Sequence, residues 1–69
     1  MVEVFKTNVQ ASEQAKELVT LLQHVFPGNK INFDLDDCDK VLRIEGKDFI
    51  SGNVIQVLLK RGFMCNLLE

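Results

Sequence analysis

The side chains of this chain that could carry chemistry are few and scattered. Sulfur comes from Met1, Cys38, Met64 and Cys65, and a soft metal such as Cu(I) requires thiolate or thioether sulfur. No Cys-x-x-Cys pair brings two of these together. The stretch Asp34-Leu35-Asp36-Asp37-Cys38-Asp39 offers closely spaced carboxylates. A calcium loop wants oxygen ligands at alternate positions, a Gly at the sixth and a bidentate Glu at the twelfth. Counted from Asp34, Cys38 holds the fifth position and Asp39 the sixth, and only Glu45 falls where the template asks. The stretch therefore reads as a solvated strand face running into a polar turn. His24 is the single histidine and has no evident carboxylate or nucleophile partner. No Ser-His-Asp set, Gly-rich phosphate loop or acid pair emerges, so neither an enzyme nor a cofactor is expected.

Composition narrows the function further. The formal net charge is −2, which argues against nucleic acid, whose binding needs a basic face. Hydrophobic residues at 46% and charged ones at 26% match an ordinary globular domain, not a disordered chain. No apolar run approaches the ~18 residues of a transmembrane helix, so no membrane partner is expected. Met1-Val2-Glu3-Val4 lacks the basic and apolar regions of a signal peptide. Cys38 and Cys65 are too few and too far apart for a disulfide framework, so the expectation is a cytoplasmic protein with reduced thiols. Sixty-nine residues make one domain, 1–69, with no room for a second core.

The elements that must position these groups are legible from periodicity. Ala11, Ala15, Leu18, Val19, Leu22, Val25 and Phe26 recur at three- and four-residue steps, an apolar helical stripe. Asn8 and Ser12 both qualify as its N-cap, and Pro27-Gly28 stops it near Val25. Val2 to Lys6 alternates as a first strand, with Val2 and Val4 inward and Glu3 and Phe5 outward. Lys30 to Asp36 and Lys40 to Glu45 alternate as a hairpin. Placing Phe33 opposite Leu42 and Ile31 opposite Ile44 keeps all four on the core side. That register demands an even loop, Asp37-Cys38 or Asp36 to Asp39. A second helix is capped by Ser51, with Ile50 and Ile55 as a hydrophobic staple. Ile55, Leu58 and Leu59 form its inward stripe, and Gly62 ends it. Phe63 to Leu68 is a last strand with Phe63, Cys65 and Leu67 on one face. The order β-α-β-β-α-β, closed by two right-handed crossovers, predicts an α+β ferredoxin-like sandwich. Its four-stranded antiparallel sheet has order 4-1-3-2, with both helices on one face.

In length, element order and the stretch Ile50-Ser51, Ile55 and Lys60-Arg61-Gly62-Phe63, the chain resembles the heavy-metal-associated domains of copper chaperones and metal-transporting ATPases. That family holds soft metal on a Met-Thr-Cys-x-x-Cys motif between the first strand and first helix. Here the matching residues are Lys6-Thr7-Asn8-Val9-Gln10-Ala11, so Thr7 remains while Asn8 and Ala11 stand at the cysteine positions. The resemblance thus implies the fold and a degenerate metal loop. It also raises Lys6, Lys16, Lys60 and Arg61 as a basic docking patch near the loop end. The ferredoxin-like fold sets Cys38 and Cys65 on opposite edges of the sheet, three strand spacings of about 4.8 Å apart, too far for one ion.

The sheet face without helices is the remaining candidate. Alternation places Phe5 at its centre, flanked by Val41 on one side and by Met64 and Leu68 on the other. An apolar stripe across three neighbouring strands predicts protein contact through this face: a partner protein, or a homodimer with Phe5 near the two-fold axis. The expected function is a small non-enzymatic interaction domain that has lost its thiolate pair. The alternative is a metal-binding or metal-carrying protein using other ligands.

Overall fold

A computed structural model describes residues Met1–Leu68. Its elements run β1 (Val2–Thr7), α1 (Ser12–Val25), β2 (Lys30–Asp34), β3 (Val41–Glu45), α2 (Ser51–Lys60) and β4 (Cys65–Leu67). The four strands form one antiparallel sheet of order β2-β3-β1-β4. This is the expected 4-1-3-2 order seen from the other side. The strand residues Phe5, Ile31, Leu42, Ile44 and Cys65 are buried in one cluster with Leu18 and Leu22 of α1 and Val54 and Leu58 of α2. Both helices therefore cover the same face of the sheet, α1 over β2 and α2 over β4.

The β2–β3 hairpin has the expected register: Ile31 faces Ile44, Phe33 faces Leu42, Asn32 faces Arg43 and Asp34 faces Val41. Its connection is longer than expected but keeps the even parity, because pairing stops at Asp34 and Val41. The intervening Leu35–Lys40 segment folds on its own side chains instead. Asp34 Oδ1 accepts from the Asp36 N–H (3.2 Å), and Asp37 Oδ1 accepts from the Asp39 N–H (2.8 Å). The Lys40 N–H donates to the Asp37 carbonyl at 3.0 Å. Lys40 then takes a positive φ of 47°, which turns the chain into β3.

Strand β1 reverses the expected parity. Phe5 and Thr7 are buried, and Val2 is 45% exposed. Two valines compete here with a phenylalanine, and Phe buries the larger apolar area. Continuation beyond the strand decides it, since Val9 is also fully buried. Positions 5, 7 and 9 share the inward side. The helices differ from expectation in detail. Ala11, not Asn8 or Ser12, is the N-cap of α1, and its N–H donates to Gln14 Oε1 at 3.3 Å. Ile50 precedes α2 and is 67% exposed, so it forms no staple; the neighbouring Phe49 is buried instead. In α2, Val54 and Leu58 form the inward line, Ile55 is half-buried, and Leu59 is exposed.

Candidate functional site

The loop from Thr7 to Ala11 is built from hydrogen bonds that tie three elements. The Thr7 N–H donates to the Asp39 carbonyl at 3.0 Å, and its hydroxyl donates to the Lys40 carbonyl. The same hydroxyl accepts from the Val9 N–H at 3.2 Å. Asn8 Oδ1 accepts from the Met64 N–H at 2.8 Å and so joins the loop to the start of β4. Ala11 is exposed and offers no ligand atom. Of Asn8 and Ala11, one side chain thus makes a structural bond and the other is a methyl group. What sequence reasoning missed is the bond from Asn8 to Met64, which joins residues 56 apart. Only a tertiary contact brings them together.

The sulfur atoms do not converge into a ligand set. Cys65 is buried at 3% exposure, and burial pushes its thiol up to about 12. Burial therefore disfavours its thiolate form. Cys38 is exposed in the hairpin turn. Its Sγ lies with the carboxylates of Asp37 and Asp39 within 4.8 Å of one another. This group mixes one soft donor with two hard ones. The carboxylates already have partners: Asp37 accepts from the Asp39 N–H, and Asp39 pairs with Lys6 Nζ at 3.7 Å. Two of the basic residues line different concavities: Lys16 the groove between α1 and β2, with Asp34 and Asp36 also on its rim, and Arg61 the smaller one on the other flank of α1, with Glu17. Lys6 belongs to the sheet face.

That face has a different centre from the one expected. Phe5 points into the core, 0% exposed, so it cannot lie on a contact surface or near a two-fold axis there. Its place is taken by Val4, which sits between Arg43 of β3 and Leu68, whose N–H donates to the Val4 carbonyl at 2.8 Å. Val2 lies two residues along the same side, opposite Glu45. Val41 is on this side by its alternation with Arg43 and is half-buried; Met64 is 59% exposed at the loop end. The surface is therefore an apolar group of Val2, Val4 and Leu68, with Met64 and Val41 set off from it by Asn66 and Lys6. Arg43 and Glu45 form an ion pair at 3.2 Å along its β3 border. The sequence signal for this arrangement was the inward run at positions 5, 7 and 9.

Two concavities flank α1. One of about 230 Å³ lies between α1 and Arg61-Phe63. The other, about 670 Å³, is an open groove between α1 and β2, floored by Ala15, Val19, Ile31, Phe33 and Leu35. The groove's polar rim carries Ser12, Lys16, Thr20, Asn32, Asp34 and Asp36. Among the described residues no helix is long and apolar enough to cross a membrane. No family model, no curated protein and no solved structure matches this chain.

Proposed function

We propose that this chain is a small non-enzymatic interaction domain of the heavy-metal-associated kind. In this reading the metal loop has become a structural joint, and a protein partner is met by the helix-free face of the sheet. The observation that carries it is the apolar group of exposed Val2 and half-buried Val4 and Leu68, with exposed Met64 nearby, on the side of the sheet opposite the helices. A solvated sheet face has no need of such residues, and its polar border of Lys6, Arg43 and Glu45 suits the rim of a protein contact. The bonds made by Thr7 and Asn8 support the second half of the reading, since they give that loop a role in the fold itself.

The test is quantitative capture from the source cell with the parent and with Val4→Glu/Met64→Glu, both checked for folding by circular dichroism. A partner retained by the parent and lost by the variant is the expected result. A partner retained equally by both places the contact elsewhere. The other reading, a metal carrier, would rest on Asp37, Cys38 and Asp39. Anaerobic titration of the reduced protein with Cu(I) and Zn(II) against a competing chelator separates the two. Tight one-to-one binding abolished by Cys38→Ser would replace the interaction reading with the metal one.

A further inference from the structure

The unpaired edge of β2 is self-complementary, and its backbone orientation follows from a few hydrogen bonds. The Thr7 N–H donates to Asp39 and the Met1 carbonyl accepts from the Gly46 N–H at 2.9 Å, whereas the Val4 carbonyl accepts from Leu68. In an antiparallel sheet these directions alternate along each strand. Odd residues of β1 thus turn their backbone groups toward β3, and even ones toward β4. Leu42 and Ile44, opposite Phe5 and Glu3, turn theirs toward β1; Val41, Arg43 and Glu45 turn theirs toward β2. Their partners Lys30, Asn32 and Asp34 answer them. Ile31 and Phe33 are left with both N–H and C=O directed out of the sheet.

We infer that this edge pairs with the same edge of a second copy, antiparallel about a two-fold axis between the two Asn32 residues. In that register Ile31 of each copy lies opposite Phe33 of the other, and the four outward groups on each side are all used. Lys30 then faces Asp34 of the second copy, twice, in the pair type where side chains approach most closely. The charges that would otherwise guard an edge become its complement. Sliding the pairing to place Phe33 against Phe33 would need Leu35 and Asp36 to join. The Leu35 carbonyl already accepts from Lys40 Nζ at 2.9 Å, and the Asp36 N–H is held by Asp34. The other edge of the sheet, β4, is only three residues long, while β2 pairs through five consecutive residues with no bulge and no proline. Pairing would also cover the apolar groove beside β2, whose helical rim carries Ser12, Lys16 and Thr20 and no carboxylate. The inference is independent of the sheet-face reading, since edge pairing leaves that face open in both copies.

The experiment is sedimentation equilibrium on the parent, Lys30→Asp, Asp34→Lys and the double swap, joined to hydrogen exchange on the parent. The parent is expected to dimerise, and each single variant, now facing its own charge, to associate about tenfold more weakly. The equimolar mixture of the two singles and the double swap should both return to parental strength. In the parent, the Ile31 and Phe33 amides should gain protection with concentration, while Asn32, bonded to β3, is protected throughout. The exchange readout needs no substitution and stands if a variant fails to fold. A parent that stays monomeric to about 1 mM overturns the inference. So does a mixture no stronger than the singles, or dimerisation without added protection at Ile31 and Phe33. Dimerisation lost in Val4→Glu/Met64→Glu but not in the charge variants would move the contact to the open face.

Discussion

At the scale of single residues, Cys65 shows how burial turns a reactive group into a packing one. Its thiol is held up to about 12 by desolvation, against an ordinary value of 9.0. The folded state keeps the proton that the unfolded chain releases, so the contribution is whole below pH 9.0 and declines as pH rises toward about 12. Denaturant melts at neutral pH and at about pH 10.5 should show the parent losing stability more steeply than Cys65→Ala, by at most ~1.4 kcal/mol per pH unit. Equal slopes would mean that the thiol is solvated. Alkylation at neutral pH should modify Cys38 and leave Cys65 until the chain unfolds. Gly46 makes a second residue-scale point, since a Cβ there would overlap Asn29 Oδ1. Asn29 is buried, and its Nδ2 donates to the Phe26 carbonyl at 2.9 Å, fixing the end of α1 beside the end of β3.

At the scale of elements, α2 offers the sharpest contrast. Leu58 is 0% exposed and Leu59 is 50% exposed, one position apart. Leu58→Ala should cost about 2–5 kcal/mol and Leu59→Ala under about 1 kcal/mol, as read from denaturant midpoints. Equal costs would contradict the packing of α2. Sequence periodicity assigned both leucines inward because helical spacing leaves a stripe about 100° wide with uncertain borders. The hairpin register was legible because a one-residue slip would put Ile31 and Phe33 on the opposite face from Leu42 and Ile44 and expose one of the two pairs. Strand β1 was not, because apolar side chains stand at both parities, and only the continuation through Thr7 and Val9 separates them. The caps were misread for another reason. Asn8 has the right chemistry for an N-cap but spends its oxygen on Met64, a partner no local pattern reveals. Of the residues expected on the helix-free side of the sheet, Val41, Met64 and Leu68 lie there, while Phe5, expected at its centre, points into the core.

At the scale of the whole molecule, a chain of 69 residues has a margin of only about 3–5 kcal/mol, so the loss of one element is decisive. A chain ending at Gly62 keeps both helices and the other three strands but leaves one side of β1 bare. It also removes Cys65 from the core and the bond from Asn8 to the Met64 N–H. Circular dichroism and hydrogen exchange should find it largely unfolded, and cooperative melting of that fragment would refute the dependence. Position within the sheet carries a temporal consequence. Strand β1, at residues 2–7, is made early, yet one of its two neighbours lies at 41–45 and the other at 65–67. During synthesis this strand, with Phe5 in it, waits without a partner while α1, β2 and the hairpin turn are still being added. Its second neighbour arrives only as a three-residue strand. The pairing of β1 is therefore complete only when residues 65–67 are available to it, and its contacts are closed across long stretches of chain.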